Sequence, residues 1–267
     1  NSLAFGIDQY RWLAVGLLIL CGLILSSGKS VYGLMEKLTK YVILISVGML
    51  LVLVFLIFRV EHAIEFAQGL IGIGPNYSFI PAGISLATFL AAFAYSGAGG
   101  NLNLAQSIYI KEKGYGMGAY SQKISGLFRE GKIDDSIKLS GENFSSTADN
   151  MKRFNSWWKK IGLEHALVFW FLGFIAMALL MILSYGSTFG AAGNAQGIAF
   201  IQNQASHVAS VLGAPLGLGL LVIIGLLLSQ TQLGILDSTS RIMSENAALL
   251  QIGKDKKKPV HLSRFYY

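Results

Sequence analysis

Residues 81–118 have the sequence PAGISLATFLAAFAYSGAGGNLNLAQSIYIKEKGYGMG, and this stretch decides the predicted fold. It begins as an apolar run, is interrupted by Ser96-Gly97-Ala98-Gly99-Gly100, and continues as a second, more polar half. Neither half alone reaches the roughly 20 helical residues that cross the hydrocarbon core of a bilayer, whereas the two together do. Backbone groups freed at such a break need protein, water or a bound solute, because lipid offers them no hydrogen bonds. The stretch therefore predicts a discontinuous transmembrane helix, an element that forms the midplane sites of secondary transporters.

The composition of the whole chain is that of a membrane protein. Of the 267 residues, 53% are hydrophobic and 13% are charged, and the mean hydropathy is +0.55, whereas soluble domains carry roughly 25% charged residues. We expect an all-α integral membrane protein whose main partner is the lipid bilayer, with five transmembrane segments. Their predicted bounds are about 9–26, 41–58, 82–110 with a break at 96–100, 164–186 and 213–247.

The basic residues predict the orientation of these segments. All but two of the 21 Lys and Arg residues fall in three alternate connections, 27–40, 111–160 and 241–267. Because cytoplasmic connections carry an excess of positive charge, we expect these three to be cytoplasmic in a plasma (inner) membrane protein. The formal net charge of +7 is then explained by topology, and no nucleic acid partner is needed to account for it.

The break in the third segment is the first candidate site. The backbone carbonyls of Tyr95, Ser96 and Ala98 would end a half-helix, and the negative end of a helix favours a cation. The alternative is that the glycines only allow neighbouring helices to pack closely, as small residues do in membrane bundles. The expected metal or substrate site consists of Tyr95, Ser96, Gly97, Ala98, Gly99, Gly100 and Asn101.

Polar residues near the break and in the last segment form a candidate pathway. The amides have an alternative role as helix caps and as interhelical hydrogen-bonding groups. For Asp237, its distance along the helix from Pro215 also allows a solvated position near the cytoplasmic surface. The candidate pathway residues are Asn103, Gln106, Gln230, Gln232 and Asp237.

The sequence gives no sign of an enzyme. The four histidines, at positions 62, 165, 207 and 261, do not have the spacing of metal ligands. No GxSxG, HExxH or P-loop pattern occurs, and Gly114-Tyr115-Gly116-Met117-Gly118 lacks both the spacing and the strand that a dinucleotide-binding motif requires. We therefore expect a protein that is not an enzyme.

Two stretches resemble a known transporter family. AYSGAGGNLNL at 94–104 and YIKEKGYGMG at 109–118 are similar to the sixth helix of divergent members of the Nramp divalent metal transporter family, and the last segment ends in a matching Asp237-Ser238-Thr239-Ser240-Arg241. The resemblance implies a LeuT-type fold with two inverted five-helix repeats. It also implies that the chain is a fragment covering about helices 4 to 8, whose site is completed by the remainder of the chain.

The resemblance also implies a substrate, a divalent metal cation of the Mn, Mg or Fe type carried by alternating access. Typical family members place Met-Pro-His at the break, whereas this chain has Ala98-Gly99-Gly100. Without a thioether or imidazole the site would be dominated by oxygen, which favours hard ions such as Mg²⁺ or Mn²⁺. The cation is a transported substrate, and no resident cofactor is expected.

Two other functions are compatible with the sequence. An amino acid or amine permease of the same superfamily would use the N–H groups of Gly99 and Gly100 to bind a carboxylate. A non-transporting membrane scaffold would instead dock partners through the basic connection 111–160.

Overall fold

The computed structural model describes residues 7–27, 30–73, 85–94, 101–121, 123–124, 126–127, 143–189, 198–254 and 260–267. These residues form an all-helical protein. A 3-10 turn, Gly116–Tyr120, follows α5, and a π-helical stretch, His165–Phe171, joins α6 to α7. The α-helices are α1 (Ile7–Ser26), α2 (Val31–Ile57), α3 (Val60–Leu70), α4 (Leu86–Phe93), α5 (Asn101–Lys113), α6 (Ala148–Glu164), α7 (Leu172–Thr188), α8 (Ile198–Leu212), α9 (Ala214–Lys254) and α10 (Ser263–Tyr266).

Among the described residues, three helical stretches are long and apolar enough to cross a membrane: Val31–Ile57, Ala148–Thr188 and Ala214–Gly253. Many of their large apolar side chains are exposed, among them Phe55 at 81% and Trp170 at 68%. Apolar surface on this scale is typical of helices surrounded by lipid. The structure thus supports a membrane-embedded helical protein with three such stretches, while the prediction of five spans stays a prediction.

The predicted broken helix is represented by α4 and α5. Helix α4 begins at Leu86, where the Ser85 hydroxyl accepts a hydrogen bond from the Thr88 backbone N–H at 3.1 Å, as expected of an N-cap. Helix α5 begins at Asn101. Residues 95–100, which contain the predicted break, lie outside the described residues.

The helices extend further than the predicted spans. Helix α2 begins at Val31, and the Ser30 hydroxyl caps it by accepting a hydrogen bond from the Gly33 backbone N–H at 3.1 Å. Most of the predicted connection 27–40 is therefore helical. Helix α6 continues through the π-helical stretch into α7 without a turn, so residues 148–160 of the predicted connection 111–160 belong to a 41-residue helix. Helix α9 extends to Lys254, beyond the predicted end at 247.

The chain divides into two compact units. Unit 1 comprises residues 1–40, 97–157 and 229–267, and unit 2 comprises residues 41–96 and 158–228. In unit 1 a core of buried apolar side chains joins α1, α2, α9 and α10 with the segment after α5, and its members are Cys21, Leu25, Val31, Met35, Ile124, Leu233 and Tyr266.

Unit 2 has its own apolar core, made by α2, α7, α8 and the first part of α9. Leu53, Val208 and Leu220 are fully buried in it. Helix α8 approaches α9 closely at Gly217, where a Cβ atom would lie 2.6 Å from both the Ala205 carbonyl oxygen and the Ala209 Cβ. Because those atoms belong to backbone or to a short side chain, they cannot move aside as a flexible side chain would. The glycine is therefore required for this contact.

This contact predicts the effect of a single methyl group. Gly217→Ala should lower the free energy of unfolding by about 1–3 kcal/mol, since the overpacking of α8 against α9 outweighs the gain in helix propensity. Gly225→Ala is the matched control, because a Cβ at Gly225 on the same helix meets nothing within 4 Å. Thermal unfolding in detergent would compare the two variants. Equal melting temperatures of the two variants would contradict the close packing of α8 on α9 at Gly217.

Candidate functional site

A buried ion cluster lies in unit 1, around Arg241 of α9. The side chain of Arg241 is only 1% exposed, and those of Asp237 and Glu112 are 0% and 3% exposed. Arg241 donates from Nε to both carboxylate oxygens of Asp237, at 2.9 and 3.0 Å. Its Nη1 donates to Glu112 Oε1, and its Nη2 lies 3.4 Å from Glu112 Oε2. One guanidinium therefore binds two carboxylates on two helices.

Two tyrosines complete the buried ion cluster. The Tyr109 hydroxyl donates to Asp237 Oδ2 at 2.9 Å, and the Tyr266 hydroxyl donates to Asp237 Oδ1 at 2.6 Å. The Arg241 guanidinium carbon lies 5.6 Å from the centre of the Tyr109 ring and 5.8 Å from that of Tyr266. Both distances are in the range of cation–π attraction, which grows when water is excluded.

The spacing of residues along α5 and α9 brings the members of the buried ion cluster onto facing sides of the two helices. Asp237 and Arg241 are four residues apart on α9, and Tyr109 and Glu112 are three apart on α5, so each pair shares one helix face. After α5, the chain turns at Gly114, whose φ of +86° suits glycine, and returns so that Gly118 lies against Lys111. Helix α10 then brings Tyr266 into the unit 1 core, where it is 7% exposed. Three separate segments thus meet at Arg241.

The protein environment raises the pKa of two members of the buried ion cluster, Glu112 and Tyr266. Burial raises the pKa of Glu112, and the facing Arg241 guanidinium and the Ile124 backbone N–H oppose that rise. Burial and the Asp237 carboxylate raise the pKa of Tyr266, so its hydroxyl stays protonated and acts as a donor.

A cavity of about 230 Å³ opens beside the buried ion cluster. Glu112 and Arg241 form one part of its wall, and Lys111, Glu245, Ser121 and Ser244 add further polar groups. Apolar side chains of α5, α9 and the adjoining segments close the rest. The volume is large enough for several water molecules, and the polar wall offers them hydrogen-bonding partners.

Only some of the predicted site residues make contacts with another helix that the structure describes. Asp237, one of the five predicted pathway residues, is fully buried, so the alternative of a solvated position for it is wrong. Asn101 is half-buried, and its side-chain Nδ2 donates to Thr239 Oγ1 on α9. Gln230 donates to Thr39 on α2.

The remaining predicted site residues either lie elsewhere on α5 and α9 or fall outside the described residues. Asn103 and Gln106 are exposed on α5, and Gln232 is half-buried on α9. The predicted metal or substrate residues before Asn101 lie outside the described residues; they are Tyr95, Ser96, Gly97, Ala98, Gly99 and Gly100. In the part of the chain that the structure describes, no group of three or more His, Cys, Asp or Glu side chains is placed to hold a metal ion.

Sequence reasoning missed four of the five residues of the buried ion cluster: Arg241, Glu112, Tyr109 and Tyr266. Arg241 was counted among the cytoplasmic charges, whereas it is buried. The four-residue spacing of Asp237 and Arg241 signals an ion pair on one helix. The pairing with Glu112 joins residues 129 positions apart, and no local pattern predicts it.

Comparisons with protein-family models, with curated proteins and with solved structures find no match. The resemblance to the Nramp family therefore stays a hypothesis that rests on the two quoted stretches of sequence.

The hydrogen bonds of the two adjacent tyrosines predict a difference in stability. Tyr266→Phe removes a donor to a buried carboxylate, so it should lower the free energy of unfolding by about 1.5–3 kcal/mol. Tyr267→Phe removes hydrogen bonds only with neutral backbone groups, the Leu25 carbonyl at 3.2 Å and the Leu127 N–H. Because Tyr267 is 43% exposed, water can replace these bonds, and the variant should lower the free energy of unfolding by only about 0.5–1.5 kcal/mol. Thermal unfolding in detergent measures both. A larger loss for Tyr267→Phe would contradict the arrangement around Asp237.

Proposed function

We propose that the chain forms part of a secondary transporter that carries divalent metal cations across the plasma membrane by alternating access. The observation that best supports this proposal is the fully buried Asp237–Arg241 pair on α9, a helix that includes a stretch able to cross a membrane. Ionisable groups in such helices are costly, and where they occur they commonly mark substrate or ion pathways and their conformational switches. A helical bundle can be held together by apolar packing without such ionisable groups.

The position of the buried ion cluster suits a part in alternating access. Glu112 and Tyr109 lie on α5, which begins immediately after the glycine-rich stretch, and Asp237 and Arg241 lie on α9. In the proposed cycle, the cluster holds α5 against α9 in the described conformation, and the two helices separate when the pathway opens on that side. In transporters with broken helices, such rocking movements occur around a site near the membrane midplane.

The proposed ion ligands are the backbone carbonyls of Tyr95, Ser96 and Ala98, with Asn101 beside them. Since these ligands contribute only oxygen, the preferred substrates are the hard ions Mg²⁺ and Mn²⁺. Asn101 donates to Thr239 through its amide nitrogen, which leaves the amide oxygen as the atom suited to face a cation. The ligands expected from the remainder of the longer protein would complete the coordination.

Uptake into proteoliposomes tests the proposed substrate. The full-length protein should show saturable flux of Mn²⁺ or Mg²⁺ and no flux of an amino acid mixture. Flux of amino acids without metal would favour the permease alternative, because the half-helix N–H groups would then bind a carboxylate. Absence of both fluxes in correctly inserted protein would favour the scaffold.

A double variant tests the location of the site. Gly97→Leu with Gly99→Leu should abolish metal uptake and leave membrane insertion intact, since bulky side chains prevent the backbone from opening at the break. Gly22→Leu is the control, because a Cβ at Gly22 on α1 meets nothing within 4 Å. Normal metal uptake by the double variant would contradict a substrate site at residues 95–101.

A further inference from the structure

The buried ion cluster contains one more acidic group than basic group. Asp237 and Glu112 both face the single guanidinium of Arg241, and the two tyrosines are neutral donors. If both carboxylates are ionised, these buried side chains carry a net charge of −1. An uncompensated charge at such a position is strongly unfavourable, and proteins usually remove it by binding a proton.

The hydrogen bonds show which carboxylate can accept that proton. Both oxygens of Asp237 accept from Arg241 Nε, and each also accepts from a tyrosine hydroxyl, at 2.6 Å for Tyr266 and 2.9 Å for Tyr109. A proton on Asp237 would have to displace one of these donors. Glu112 differs, because Arg241 Nη1 binds its Oε1 closely whereas the hydrogen bond from Nη2 to its Oε2 is long, at 3.4 Å, and the other donor to this carboxyl group is the neutral Ile124 backbone N–H. The Oε2 atom can carry a proton while Oε1 keeps its bond to Arg241.

The surroundings of Glu112 also provide a route to water. Glu112 lines the 230 Å³ cavity, whereas Asp237 does not line it. Among the described residues, the charged and titratable groups near Glu112 are Arg241, Asp237 and Tyr109 in the cluster, with Lys111 and Glu245 along the cavity wall. Because Glu112 itself lines the cavity, water there can exchange a proton with its carboxyl group directly.

We propose that Glu112 is a proton-binding site, which holds a proton while the ion cluster is buried and releases it when α5 and α9 separate. Binding of the proton follows from the geometry of unit 1 alone. Its coupling to a transport cycle, by contrast, rests on the proposed function.

The direction of the pH effect follows from linkage. Burial raises the pKa of Glu112 above its ordinary value of about 4.3, so the buried conformation holds the proton to a higher pH than a solvated glutamate does. Acid therefore favours the buried conformation. As the pH rises above the ordinary value, ionisation of Glu112 increasingly favours separation of α5 from α9.

Infrared spectroscopy of the full-length protein tests proton binding without any transport assay. A pH titration from about pH 4 to about pH 8 should show loss of the carbonyl stretch of a protonated, buried carboxyl group. Glu112→Gln should abolish that band. Asp237→Asn removes the excess negative charge, so the same band should persist and titrate about one pH unit lower or more.

Each outcome decides the proposal. A titrating band that persists unchanged in Glu112→Gln would assign the proton to another group and overturn the proposal, as would a wild-type titration without any such band. If Glu112→Gln does not fold, the shift in Asp237→Asn still decides, and an unshifted band would overturn the assignment.

Metal uptake then tests the coupling separately. Uptake that varies with pH in the wild type and becomes independent of pH in Glu112→Gln would support coupling between the proton and transport. A titrating Glu112 band in a protein that carries no metal would refute the proposed transport function and leave the proton-binding site intact.

Discussion

The desolvation of one guanidinium is the constraint on which unit 1 depends. Removing the charge of Arg241 from water costs several kcal/mol, and only close partners with good geometry can offset that cost. Asp237 supplies the opposite charge, Glu112 supplies a second carboxyl group that accepts from the guanidinium, and Tyr109 and Tyr266 supply hydroxyl donors to Asp237 and aromatic faces to Arg241. These partners come from α5, α9 and α10, so the three helices must keep a fixed arrangement around Arg241.

The buried ion cluster favours one arrangement of the helices, because separating its charged groups costs free energy. In lipid, the hydrophobic effect does not favour one arrangement of apolar helices over another, because the lipid tails are as apolar as the side chains. A buried charge that loses one partner is destabilised by about 3–5 kcal/mol, so the arrangement of α5 against α9 tolerates few alternatives. This property also makes the cluster a suitable two-state element. The described conformation is favoured while the pairs are intact, and a separated conformation requires that water replaces them.

The sequence predicts the features that depend on composition and local pattern. The apolar runs predict helices that cross a membrane, and the polar run from Asn101 predicts a helix start where α5 begins. Composition does not mark the full length of the helices, because α2, α6 and α9 continue as helices through polar stretches such as 31–40. The burial of Asp237 and the pairing of Arg241 with Glu112 were not predictable, whereas the four-residue spacing of Asp237 and Arg241 does indicate a pair. The burial of Asp237 and the pairing with Glu112 arise from tertiary contacts between α5 and α9, and Glu112 and Arg241 are 129 residues apart.

A double-mutant cycle on Glu112 and Arg241 measures whether the guanidinium joins α5 to α9. The free energy of unfolding would be measured in detergent for Glu112→Gln, Arg241→Gln and the double variant. If one guanidinium holds the two helices together, the double variant should be more stable than the sum of the single effects predicts, by about 1–3 kcal/mol. Strictly additive effects would contradict the account, because they would show that Arg241 and Glu112 act independently.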